Sequence, residues 1–146
     1  MRRVIALALV VVGLAASAAT AQPSTTPTVK VSKTRLGTIL VDGRGRTLYL
    51  FIDDRNGSIT CTTGLSNCPA VWPPLFAKGK PVAGPGVDAK LLGTVHRTQP
   101  AGTQVTYAGH PLYTFSSDEK PGDLNGQGFI TAWYVVSPAG KPIKRK

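Results

Sequence analysis

Beyond about residue 28, apolar positions recur mostly at intervals of two. No stretch there holds a 3.6-residue apolar period for three turns. Residues 28–32 alternate around Val29 and Val31. Residues 37–42 (Gly-Thr-Ile-Leu-Val-Asp) and 47–52 flank the glycine-rich turn Gly43-Arg44-Gly45-Arg46 and read as an antiparallel hairpin. Residues 104–107, a turn at Ala108-Gly109-His110, and residues 112–116 read as a second hairpin. A further strand is expected at 131–137 and a short one at 95–98. Residues 81–88 carry two prolines and two glycines without periodicity, which suits a connector, and 88–92 has the length of one helical turn. The expected fold is mostly β and antiparallel, with little helix. Two pseudo-equivalent hairpin repeats pack into one domain over 29–138, at about 29–80 and 89–138.

A repeated hexapeptide strengthens this division. Tyr49-Leu50-Phe51-Ile52-Asp53-Asp54 and Tyr113-Thr114-Phe115-Ser116-Ser117-Asp118 share the pattern Tyr-x-Phe-x-x-Asp, each behind a leucine (Leu48, Leu112). The offset is 64 at every matched position (49 to 113, 51 to 115, 54 to 118), and Val41/Val105 and Gly45/Gly109 extend it upstream. In a strand, residues two apart share a face. Tyr49 and Phe51 therefore point together, as do Tyr113 and Phe115, while Leu48 and Leu112 point the other way. Asp54 and Asp118 fall at strand ends, where a carboxylate accepts backbone N–H bonds in the following turn.

The first 21 residues have the form of a secretory signal peptide. Arg2 and Arg3 precede an apolar run over 4–16, and Ala19-Thr20-Ala21 supplies a small-residue cleavage site. The run is short and alanine-rich for a permanent membrane span, and no cysteine follows it for lipid attachment. Residues 22–28 read as a flexible polar leader. The protein is thus expected to be exported, either secreted or held in the periplasm or cell envelope, and not lipid-anchored. Net charge is +10, with 17 Lys and Arg against seven Asp and Glu. Four of those cations lie in the tail Lys141-Pro-Ile-Lys-Arg-Lys146. The basic tail 139–146 is expected to fray and to favour anionic envelope polymers. No basic-aromatic stripe marks a specific nucleic-acid site, and nothing names a protein partner.

Residues capable of chemistry are few. Cys61 and Cys68, the only cysteines, lie in the exported part and read as a disulfide closing a short loop. A redox pair would normally use C-x-x-C spacing, and a copper thiolate site would want His or Met in the loop. Cys68-Pro69 also matches a haem-regulatory dipeptide, a pattern of very low specificity. Trp72 reads either as a ring packed over the disulfide or as an exposed aromatic for carbohydrate or peptide, and Trp133 as core. Asp118, Asp123 and Asn125 form an oxygen-rich loop, but Pro121 stands where a calcium loop of the helix-loop-helix type needs its first ligand. Asp54, Asp118, Asp123 and Asn125 remain candidates for a looser cation or ligand site. No cofactor is expected, and calcium or a transition metal is the alternative. His96 and His110 fall in different elements. Asp53/Asp54 and Asp118/Glu119 point to opposite strand faces, and no G-x-S-x-G or H-E-x-x-H occurs. No catalytic residue emerges and an enzyme is not expected.

Residues 40–54, then Cys61…Cys68-Pro-Ala-Val-Trp-Pro-Pro-Leu75, then residues 104–118 closely resemble a bacterial secreted-repeat family. Its members are often described as predicted lipoproteins with a Yx(F/W/Y)xxD motif. The resemblance spans about residues 30–138 and implies architecture and compartment but no reaction. The function expected is an exported, non-enzymatic β-repeat domain, a binding or structural module of the cell envelope. The alternatives are a metal or small-ligand binding protein and a redox protein using the cysteine pair.

Overall fold

β-Branched and aromatic residues at alternate positions build seven strands in a computed structural model that describes residues 28–64 and 66–146. These are β1 (Val29–Thr34), β2 (Gly37–Asp42), β3 (Tyr49–Phe51), β4 (Leu92–Thr98), β5 (Ala101–Tyr107), β6 (His110–Pro111) and β7 (Trp133–Val135). Every strand pairing is antiparallel. Among the described residues, helix is confined to α1 (Cys68–Val71) and one 3-10 turn at Phe129–Thr131. The expected signal peptide and nearly all of the leader fall within 1–27, outside the described residues. Thr28, which the sequence places in the leader, already bonds to the fold through its amide on Val82 O.

The longest pairing in each repeat is not the one the turn residues announce. β2 pairs along its whole length with β1, and β5 with β4. The arms 37–42 and 47–52 touch only next to their turn, at Val41↔Thr47 and Leu48 N–H to Leu40 O. Beyond that point a strand from the other repeat enters between them. β7 pairs with β3 (Leu50↔Tyr134), and Leu40 N–H bonds Val136 O. The second repeat repeats the arrangement with residues 71–77. Thr114 N–H bonds Pro73 O, Ser116 N–H bonds Val71 O, and Val105 N–H bonds Leu75 O. Each repeat therefore lends its final strand to the other. The two halves meet where Tyr49 and Tyr113 exchange both backbone bonds, at 2.8 and 3.0 Å.

The upstream match shifts by one residue. Leu40 and Val105 occupy corresponding places, each donating to the strand lent by the other repeat, rather than Val41 and Val105. The first turn holds three residues between Asp42 and Arg46, with Gly45 at φ 88°. The second holds only Ala108 and Gly109, both at positive φ, as a tight two-residue hairpin requires. One residue less in the turn displaces the preceding strand by one.

Both faces of the strands are covered. Tyr49, Tyr113, Trp72, Trp133, Leu36, Ile39 and Val135 form one core cluster, with Phe51 and Phe115 packed against it. Leu40, Leu48, Leu50, Val105, Tyr107 and Leu112 form the other. The face assignment made from period two holds. The basic tail does not fray. Residues 141–143 return along β7 through Ser137 N–H to Lys141 O and Ile143 N–H to Val135 O. Ile143 packs on the first core cluster. Gln127 Nε2 donates to the carbonyls of Ile143 and Arg145, and the Arg145 guanidinium donates to Leu36 O. Charge count hid one apolar side chain and the carbonyls that hold this tail.

Candidate functional site

The two hexapeptides come together as a crossed pair. The Tyr49 hydroxyl donates to Asp118 Oδ2 at 2.6 Å, and the Tyr113 hydroxyl donates to Asp54 Oδ2 at 2.6 Å. Each tyrosine thus bonds the aspartate of the other repeat. The second oxygen of each carboxylate serves its own turn, as the sequence reading expected. Asp54 Oδ1 accepts from Thr60 N–H and Thr60 Oγ1, and Asp118 Oδ1 accepts from Asn125 N–H. Asp54 is wholly buried and Asp118 is 7% exposed, while Asp53 and Glu119 face solvent. Burial is what makes the bonds strong, since a buried charge acceptor has no water to replace a lost donor.

Both phenols are held in the protonated form. Burial comes first in pushing the Tyr49 hydroxyl well above its ordinary value, followed by the hydrogen bond and the charge of Asp118. Burial also leads for Tyr113, followed by the charge of Asp54 and its hydrogen bond. A phenol in this setting is a donor and not a base.

Aromatic rings fill the space between the crossed bonds. Trp72 and Trp133 stack face to face at 3.9 Å with an interplanar angle of 3°. They are corresponding residues of the two lent strands, so the stack marks the approximate twofold relation of the repeats. Phe115 lies 4.4 Å from Trp72, Phe51 stacks on Trp133 at 4.8 Å, and Tyr49 and Tyr113 meet the tryptophans edge-on. Both tryptophans are buried, so Trp72 takes the packing role of its two sequence readings. A methyl group on Gly126 would sit 2.7 Å from Trp72 Cη2 and 3.0 Å from Tyr49 Cζ, which explains the glycine there. The Gly126 amide also donates to the Tyr49 oxygen at 3.3 Å.

Cys61 and Cys68 form a disulfide with an S–S distance of 2.06 Å, and Cys61 belongs to the core cluster beside Trp72. The second repeat carries no cysteine, and its Phe129 meets Trp72 edge-on at 5.7 Å between ring centroids. Asp123 Oδ2 accepts from the amides of Glu119 and Lys120, and Asn125 Nδ2 donates to Ser117 O. These bonds bring Asp118, Asp123 and Asn125 into one loop, while Asp54 belongs to the turn of the other repeat. Among the described residues, no group of three or more His, Cys, Asp or Glu is placed to hold a metal ion. His110 Nδ1 lies 2.9 Å from Asp54 O in its turn, and His96 is exposed on β4.

Two buried charged groups escaped the sequence reading. Asp42 accepts from Arg44 N–H, Arg46 N–H and Arg46 Nε, all at 2.9 Å, and pairs with Arg46 Nη2. Its place in Val-Asp-x-x-Gly ahead of a turn was the available signal. Arg97, 2% exposed, donates to Gln104 Oε1, Cys61 O and Gln99 O, with its guanidinium 6.0 Å from the Tyr113 ring centroid. Its Nε has no partner. Nothing in an alternating Val-His-Arg-Thr strand distinguishes this arginine from a solvent-facing one.

Crossed side-chain bonds, exchanged strands and a shared tryptophan stack define an interlocked tandem-repeat β domain. The chain belongs to the family described as a secreted repeat of unknown function, which matches residues 30–76 and 95–137. No curated protein and no solved structure matches it. Among the described residues, no helix is long and apolar enough to cross a membrane.

Proposed function

We propose that the protein is an exported, non-enzymatic scaffold, a binding or structural module of the cell envelope. The observation that carries this reading is the use of the motif itself. Both hydroxyls and all four carboxylate oxygens of Tyr49, Tyr113, Asp54 and Asp118 are engaged, one oxygen of each aspartate across the repeats and the other in its own turn. A group so engaged is not free to bind a substrate or move a proton. Export rests on the N-terminal pattern of Arg2, Arg3, apolar run and Ala19-Thr20-Ala21, with no lipid-attachment cysteine after it. In an oxidising compartment the disulfide persists. Lys141, Lys144 and Lys146 remain exposed on the docked tail and give a general attraction to anionic envelope polymers. The test is a turnover screen of purified protein against hydrolytic and redox substrates. The scaffold reading expects none. Turnover that co-purifies with the protein and disappears in a single point variant would refute it.

A further inference from the structure

The cations outside the tail are not spread evenly. Lys78 and Lys80 flank Gly79 just beyond the lent strand 71–77, and all three are exposed. Two concavities share this segment as a common wall. One, of about 800 Å³, runs toward β4 and β5, where Thr94 and Thr103 line it. The other, of about 620 Å³, runs toward the first hairpin turn, where Arg44 and Arg46 line it. Four cations therefore line the pair: Arg44, Arg46, Lys78 and Lys80. Asp42 is the single carboxylate among the lining residues, and it is buried and saturated by the Arg44 and Arg46 bonds described above. Phe76, 41% exposed, lines the second concavity. Its ring lies against the bare backbone of Gly102, where a methyl group would come within 2.5 Å of Cε1.

We propose that this furrow is a binding site for an anionic polysaccharide, a chain of sugar units carrying carboxylate or phosphate groups. The inference rests on the binding-module reading and names its ligand class. Two adjacent concavities on one wall suit a ligand that continues from one into the other, as a chain does and a single small molecule does not. The exposed cations Arg44, Lys78 and Lys80 match repeated anionic groups, threonine hydroxyls match sugar hydroxyls, and one exposed ring offers a stacking face. A single-stranded nucleic acid would call for several stacking rings along the groove, and Phe76 is the one aromatic among the lining residues.

Calorimetric titration of the exported protein with polygalacturonate tests the site, with neutral dextran and a single-stranded oligodeoxynucleotide as parallel probes. Polygalacturonate is expected to bind, dextran not to, and affinity to fall as salt rises. Lys78→Glu with Lys80→Glu should weaken binding roughly tenfold or more, while Lys144→Glu with Lys146→Glu in the tail should change it less than about threefold. Circular dichroism melts check that both double variants remain folded. A loss confined to the tail variant, or equal in both, overturns the groove and leaves the binding module standing. Tighter, groove-dependent binding of the oligonucleotide overturns the ligand class. Failure of any charged polymer to bind overturns the inference, whereas the scaffold reading falls only to turnover.

Discussion

Tyr113→Phe removes one oxygen from the centre of the protein and leaves everything else in shape. The lost bond is 2.6 Å long, and its acceptor, Asp54, is wholly buried. Asp54 keeps Thr60 on Oδ1 but has no donor left on Oδ2. A hydrogen bond to a charged group contributes about 1.5–3 kcal/mol, and leaving the charged partner buried and short of donors places the cost toward the upper end. For a domain of this size that is a fall in melting temperature of roughly 5–15 °C. Asp54→Asn keeps the Thr60 acceptor and removes the charge, so the double variant should cost less than the two singles added, by about 1 kcal/mol or more. Denaturant unfolding of the four proteins measures this coupling. A Tyr113→Phe protein within about 0.5 kcal/mol of the parent, or a strictly additive pair, would refute the crossed bond as a source of stability.

The same two phenols set an alkaline limit. Each folded-state value is raised above its unfolded value, so their contribution is complete below about pH 10 and declines as pH climbs beyond it, by up to about 1.4 kcal/mol per pH unit for each tyrosine. Stability measured by urea unfolding at pH 9 to 11.5 should show this slope, reduced in Tyr113→Phe; an identical slope in both proteins would exclude Tyr113 as its source. Gly126→Ala drives a methyl group into Trp72 and Tyr49 and should cost about 1–3 kcal/mol; a melt unchanged within error would mean the rings yield freely. Reduction of Cys61–Cys68 should lower stability by about 2–2.5 kcal/mol, given its short loop, compared by melts with and without dithiothreitol.

Local features were legible because local physics decides them. Alternation at Tyr49/Phe51 against Leu48 assigns two faces in a strand whatever its neighbours are. Cys61 and Cys68 are close enough in sequence to pair without help from the fold. Asp54 and Asp118 accept turn amides six and seven residues on, as residues at a strand end do. What depended on the other repeat was hidden. The Tyr–Asp bonds join residues 69 and 59 positions apart, and a pattern within one repeat carries no information about which copy supplies its partner. The same holds for the hairpins. Gly43–Arg46 marks a real turn, but β7 enters beyond it from the far end of the chain. The tail was misread for a related reason, because Ile143 finds its place only against a strand lent by the second repeat.

The exchange of strands and the crossed bonds have one origin. Two copies related by an approximate twofold must place equivalent residues on either side of the axis, and Tyr49/Tyr113 and Trp72/Trp133 are the pairs that lie on it. A side chain reaching past that axis meets the other copy's carboxylate before its own. The aspartate then does two things at once. One oxygen closes its own turn, and the other anchors the opposite repeat, so neither repeat can satisfy its buried polar groups alone. Such a core tolerates little change in the motif. It places no comparable demand on the outer walls, where Arg44, Phe76, Lys78 and Lys80 stand on turns and strand extensions remote from the axis. Constraint at the centre and freedom at the rim is the division expected of a scaffold that presents a surface.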